Sequence, residues 1–453
     1  MRNKIDMING SVPSGIFKFA LPLAATGIIQ QLFNAADVAV VGRFASKEAM
    51  AAVGGNAPLV ALIVNMFLGL ALGTNVVISH GIGQGDEEKV HRSVHTSVLM
   101  SLIGGVVFAI IGELLTRPLL QLLSVPEDVI DLSEVYLRIY MLGLPIIFLY
   151  NFEASIFRSN GDTRTPLIVL LVSGVLNVGL NFLFVVGFHM DVDGVAIATV
   201  ISNGVSAIIL FIILLKSKQI IHLDIRKLHI HKDVLLQILR IGIPAGIQGM
   251  MFSISNIIIQ SAINSLGSTI MAASSAALNI EGISYYMLSS FGQACTTFTG
   301  QNYGAARIDR CKQVLKWSIL IGLVFTVGIC ALILSAGRFI LGFFTTDPNV
   351  VEIGYLRLVI IFTAYPFSLM MEIMSGYLRG FGMSLFPTLV ALICICGVRI
   401  VWIYTVFPLY DSFKSIMIIY PISLGLTAMM LTAVFLIRRR KMYAIKAPAS
   451  QGM

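Results

Sequence analysis

Long apolar runs recur from Ile16 to Ile437, and they leave few ways to fold this chain. A bilayer core about 30 Å thick takes roughly 20 helical residues to cross. Inside it every backbone N–H and C=O must be satisfied within the segment, so such runs become helices. Twelve spans are predicted, at about 15–42, 50–78, 92–116, 132–157, 166–188, 194–215, 235–263, 270–298, 313–342, 351–377, 385–409 and 412–437. With 57% hydrophobic and 12% charged residues, little sequence remains for a soluble domain. The fold class expected is an all-α polytopic membrane protein.

The net charge of +8 does not point to nucleic acid, because of where the charge lies. With both termini cytoplasmic, the inner segments hold 23 of the 31 Lys and Arg. Seven (Arg43, Lys47, Arg117, Arg138, Arg338, Arg357 and Lys414) are assigned to the outer side, and Arg399 falls within a span. That bias orients the chain by the positive-inside rule. It predicts a multi-pass protein of the plasma (inner) membrane with anionic lipid as a neighbour. The five cysteines, Cys295, Cys311, Cys330, Cys394 and Cys396, lie in or beside spans without metal-site spacing and read as packing residues.

The two halves repeat one another. Pro22 in FALPLAATGIIQQLFN returns as Pro244 in IGIPAGIQGMMFSISN, 222 residues later, with Asn34 over Asn256. Gly81 and Gly85 return as Gly300 and Gly304, and Tyr136-Leu137-Arg138 as Tyr355-Leu356-Arg357. FRSNGDTRTP returns as LRGFGMSLFP, with Arg158, Gly161 and Pro166 over Arg379, Gly382 and Pro387. Six spans per half bring both halves in from the same side, a parallel repeat like that of transporters that rock one bundle against another. The expected domains are an N-terminal six-helix lobe (1–215), a cytoplasmic linker (216–232), a C-terminal lobe (233–437) and a basic tail (438–453). Prolines 22, 145, 244 and 366 predict kinks, and Gly69–Gly73 and Gly242–Gly246 predict close helix contacts.

Polar residues inside the spans are the candidates for function. Thr26, Gln30, Asn34 and Asp37 fall within about 80° of arc on the first span. A carboxylate at a helix centre costs about 2.5–3.5 kcal/mol on insertion scales, so Asp37 must face a protein interior or a watery cavity. Ser173, Asn177 and Asn181 line one face of the fifth span, and Thr199 with Asn203 one face of the sixth. Together they offer the amide and hydroxyl oxygens a monovalent cation needs, with interhelical hydrogen bonding as the alternative role. The position of Asp37 becomes Ile259 in the second half, so the halves share shape but not chemistry. Glu281, with Tyr285 one turn on, and Arg399 are the deep charges of that half, expected to pair with each other or to handle substrate or protons. Glu153 and Glu372 lie near Arg158 and Arg379 and read as structural. His80, His91, His95, His229 and His231 read as boundary or loop histidines. Met250, Met251, Phe252, Tyr285, Tyr286 and Met287 could line a greasy cavity.

Catalytic signatures are missing: there is no HExxH, GxSxG, Walker A or GxGxxG sequence. An enzyme is not expected, nor a prosthetic cofactor, and uphill transport would draw on an ion gradient. A channel is disfavoured by the asymmetric repeat.

The first span (Pro22, Gln30, Asp37, Gly42-Arg43), the glycines after spans 2 and 8, and the Arg158/Gly161/Pro166 and Arg379/Gly382/Pro387 segments resemble the multidrug and toxic compound extrusion (MATE) family. The resemblance covers nearly the whole chain. It implies two six-helix lobes around a V-shaped central cleft and a monomer that exchanges H⁺ or Na⁺ for amphipathic, often cationic, compounds by alternating access. It places the essential acid at Asp37, its cation partners (a possible Na⁺ site) at Asn177, Asn181 and Thr199, and a cavity-lining position at Gln30. Asn34, Glu281, Tyr285, Met287 and Arg399 complete the candidate substrate cavity. Asn181 stands where close relatives often carry a second aspartate, and the seventh span lacks the buried glutamate of another branch. The alternative within the wider superfamily is a flippase for lipid-linked precursors, which would be expected to show a more cationic cavity.

Overall fold

A computed structural model describes residues 4–122 and 125–444, so the end of the predicted tail lies outside the described residues. Every predicted span falls on a helix or on a broken run of helices. The first half comprises α1 (Val12–Phe44), α2 (Lys47–Gln84), α3 (Glu87–Leu122), α4 (Glu127–Leu142), α5 (Leu144–Ser159), α6 (Arg164–Asn181) and α7 (Val192–Lys216). The second comprises α8 (Lys232–Asn264), α9 (Ser268–Gly304), α10 (Ile308–Leu341), α11 (Pro348–Gly380), α12 (Leu385–Ala391), α13 (Val398–Thr405), α14 (Phe407–Tyr410) and α15 (Phe413–Tyr443).

Among the described residues ten helical segments are long and apolar enough to cross a membrane. Helices α4 and α5 make an eleventh span bent by 51°. The bend falls at Gly143, just before the predicted kink at Pro145, whose missing N–H suits the start of α5. The remaining predicted span, 270–298, lies in α9. At 37 residues α9 is long enough, but its Ser, Thr, Asn and Gln content makes it too polar to qualify by composition. Pro22 and Pro244 lie inside continuous helices. Exposed side chains such as Leu114, Val175, Val324 and Ile437 give the helices apolar outer faces.

The chain forms two compact units whose borders fall inside helices. Unit 1 is chiefly Ala25–Ile82 and Asp86–Gly242; unit 2 is Ile5–Ala24, Gly83–Gly85 and the chain from Ile243 onward. Helices α1 and α8 therefore change unit within three residues of Pro22 and Pro244. In unit 1, glycine sets the closest contacts. A Cβ on Gly73 would stand 2.5 Å from the Ile238 carbonyl oxygen, and one on Gly242 2.7 Å from Leu70 Cα, so α2 and the start of α8 touch backbone to backbone.

The repeat holds down to single hydrogen bonds. Gly161 (φ 88°) and Gly382 (φ 78°) both take the left-handed conformation that glycine adopts without strain. Around them Gly161 N–H donates to Arg158 O and Asp162 N–H to Phe157 O, while Gly382 N–H donates to Arg379 O and Met383 N–H to Leu378 O.

Each unit also binds the segment that leads into a first span. In unit 2, Met7 is buried, its carbonyl accepts from Asn302 and Arg310, and Arg307 holds Ile8 O and Asn9 Oδ1. In unit 1 the linker buries Ile221 and Leu223. There His95 corrects the reading of loop histidines. It is 4% exposed, donates from Nδ1 to His91 O (2.6 Å) and accepts the Asp224 N–H at Nε2 (3.1 Å). The physical reason is a buried backbone N–H that needs an acceptor once the linker packs down.

Candidate functional site

Unit 1 gathers its polar residues on three helices. Phe33 of α1 fits a notch at Gly174 of α6, where an added Cβ would fall inside the Phe33 ring. One turn further along both helices, Asp37 meets Asn177 and Asn181. Asn181 Nδ2 donates to Asp37 Oδ1 (2.5 Å) and lies 3.5 Å from Asn177 Oδ1; Thr199 Oγ1 of α7 donates to Asp37 Oδ2 (3.3 Å). Asp37 is 7% exposed. The four residues expected to share a site therefore do so. Asn203 supports Thr199 from behind by donating to its carbonyl (2.8 Å), and Ser206 Oγ donates to Ser173 Oγ (2.6 Å).

One atom of this cluster is left over. Asn181 Oδ1 is buried without a hydrogen-bond partner among the described residues. A buried amide oxygen without a partner costs about 1–3 kcal/mol, and a bound cation would remove that cost. Asn181 is also the last residue of α6 before a π-helical stretch, Phe182–Gly187. Such stretches widen a helix locally and are frequent at functional sites. The first-span stripe splits in angular order: Thr26 and Asp37, at one edge, are buried, while Gln30 and Asn34, at the other, are exposed. Tyr136 and Tyr140, stacked at 6.4 Å and buried within electrostatic range of Asp37, were missed as site residues. Their i, i+4 spacing was the available signal in the sequence.

Unit 2 departs from expectation. Glu281 does not pair with Arg399. Arg357 takes it in a two-point grip, Nε to Oε1 at 2.6 Å and Nη2 to Oε2 at 2.9 Å. Arg357 was assigned to the outer side, yet it is 1% exposed and also donates to Ser274 Oγ (2.6 Å). Hydropathy alone cannot reveal that an arginine near a span end turns inward to a glutamate 76 residues earlier. Tyr285, one turn from Glu281, instead donates to Glu372 Oε1 (2.8 Å) on α11. Met287 is half-buried beside Phe17, Leu21, Phe291 and Phe325, a small apolar pocket in unit 2. Arg399 is buried against Ser423, Asn256 and Tyr420. Glu153 is fully buried, and neither carboxylate oxygen has a hydrogen bond among the described residues.

Sequence comparison decides the family. The MatE family profile matches twice, over residues 22–183 and 244–405, with the same 222-residue offset as Pro22 and Pro244. The chain belongs to the MATE family. A probable multidrug resistance protein, YoeA of Bacillus subtilis, is 31% identical over 389 residues, covering 84% of each chain. The probable multidrug resistance protein NorM of Thermotoga maritima is 27% identical, over 85% of this chain and 83% of its own. A solved MATE structure in complex with MaL6 shares the fold with a TM-score of 0.89 at 22% identity, covering 98% of this chain and 99% of that one. As in that family, this is a multi-pass helical membrane protein.

Proposed function

We propose that this MATE protein is a cation-coupled antiporter that exports amphipathic, often cationic, compounds across the plasma membrane by alternating access, with both termini in the cytoplasm. The observation that carries the reading is Asp37. It is the buried acid of a membrane helix, held by Asn181 and Thr199, beside an amide oxygen with no partner. A buried ionisable group in a span is expected to serve an ion or substrate pathway. Either coupling ion suits the chemistry: a proton neutralises the carboxylate, and Na⁺ would draw on oxygens of Asp37, Asn177, Asn181 and Thr199, all hard ligands. Discharging Asp37 would weaken its hold on α6 and α7 and so couple ion occupancy to the position of α1.

Relatives named as multidrug resistance proteins support a drug substrate. Gln30 and Asn34, exposed beside Asp37 on α1, are proposed to contact the exported compound. Cells carrying Asp37→Asn should become as drug-sensitive as cells lacking the protein, with its membrane level unchanged. Full resistance in that variant would contradict the assignment.

A further inference from the structure

Unit 2 contains a buried positive charge that no carboxylate answers among the described residues. Arg399 lies on α13, two residues past the π-helical stretch Leu392–Gly397, and is 3% exposed. Its Nε donates to Ser423 Oγ at 3.0 Å. Its Nη1 reaches Asn256 Oδ1 only at 3.5 Å, the loose limit of hydrogen-bond geometry. Its guanidinium carbon stands 4.4 Å from the centre of the Tyr420 ring, while Arg357 approaches the same ring at 5.8 Å. Glu281, the acid of this neighbourhood, already binds Arg357 through both oxygens. Two guanidinium groups against one carboxylate leave one net positive charge in the cluster.

Neutral partners compensate a buried guanidinium poorly; a buried charge is ordinarily paired with an opposite one. Arg399 is placed to receive such a partner. Asn256 is exposed on the surface of unit 2 and Tyr420 is half-buried, so the guanidinium lies directly behind an exposed amide. Of its five N–H donors the contacts above engage two, which leaves enough for an acceptor with two oxygens. The same cluster accepts a carboxylate in this two-point manner at Arg357. The tyrosine face beside it suits an aromatic body attached to the anion.

We propose that Arg399, Asn256 and Tyr420 form a binding site for the carboxylate of a zwitterionic, aromatic substrate. One monoanion balances the one excess charge, whereas a phosphate dianion would overshoot it beside Glu281. The proposal rests on the reading of the protein as an exporter of amphipathic compounds, and it narrows that substrate class.

The test compares an aromatic amino-carboxylate drug with its methyl ester, the two differing only in the anion. Calorimetry on the detergent-purified full chain measures both affinities. The wild type should bind the acid at least about tenfold more tightly than the ester. Arg399→Gln should bring the two affinities together, and Arg399→Lys should keep part of the preference. Asn256→Asp, at an exposed position, should reverse it by placing a carboxylate at the entrance. Equal affinity for acid and ester in the wild type, or a preference that survives both Arg399→Gln and Asn256→Asp, would overturn the site. Drug-driven counterflow of ethidium, a cation without a carboxylate, by the wild-type protein tests the export reading separately. Counterflow without acid preference defeats the site alone, and acid preference without counterflow defeats the export reading.

Discussion

Two halves built on one plan have placed opposite charges in their interiors. Unit 1 buries Asp37 among neutral oxygen-bearing side chains; among the described residues unit 2 buries two arginines and one glutamate. The shared turn at Gly161 and Gly382 repeats hydrogen bond for hydrogen bond, so the backbone plan is common. What differs is the side chains near the π-helical stretches, Asn181 before one and Arg399 after the other. A duplicated scaffold can thus keep its helix packing, which depends on glycine and proline positions, while each copy acquires its own polar chemistry.

The comparison is sharpest at the Glu281–Arg357 pair. Removing one member leaves the other charge buried and alone, so Glu281→Gln should destabilise the protein by about 3–5 kcal/mol in a thermal or denaturant melt. The double replacement Glu281→Gln with Arg357→Met should recover most of the loss. A single replacement that melts like the wild type would show that unit 2 does not depend on this pair.

The oxygen cluster of unit 1 should respond through transport rather than stability. Thr199→Val removes one hydrogen bond to Asp37, a long and therefore weak one at 3.3 Å. It should slow ion-driven efflux on the order of tenfold while the melt moves little. A Thr199→Val protein with wild-type efflux would remove Thr199 from the cation site.

Glu153 offers an opposite expectation. Its carboxylate is buried without hydrogen bonds among the described residues, so Glu153→Leu should raise stability by on the order of 1 kcal/mol, read from the melting temperature. Destabilisation would reveal a partner for the acid.

The smallest effect is expected at the segment bound to unit 2. Hydrogen bonds from the backbone N–H of Asn9, then Ile8 and Gly10, together with the Arg310 charge, hold the Asp6 carboxyl below its ordinary range despite partial burial. A depressed folded value means the stabilisation is present above the unfolded value, near 3.9, and is lost as pH falls through the folded one. Hydrogen exchange at the Ile8 and Asn9 amides should therefore accelerate relative to α1 only below about pH 4. In Asp6→Asn that acid-dependent step should vanish, and its persistence would place the titration elsewhere.

Most of the scaffold was legible because bilayer physics is written in composition: run lengths, loop charges and the repeat each follow from local sequence. Asp37 with Asn177, Asn181 and Thr199 was legible for a related reason, since polar residues at helical spacing within apolar runs have few places to point. The partner of Glu281 was not. Arg357 and Arg399 look alike in sequence, and only the crossing of α9 with α11 decides which arginine meets the glutamate. His95 was hidden for the same reason, because its acceptor role depends on where the linker packs. The polar α9 is less apolar than the other spans while still forming a continuous helix of 37 residues, longer than its neighbours α8 (33) and α10 (34).

The central claim is that unit 1 couples an ion through Asp37. The direct test is drug uptake into proteoliposomes under a pure ΔpH and then under a pure Na⁺ gradient, with wild-type protein and with Asp37→Asn. At least one gradient should drive accumulation by the wild type, and neither should drive it in Asp37→Asn, although both proteins bind drug. Gradient-driven accumulation by Asp37→Asn at the wild-type rate would contradict the account.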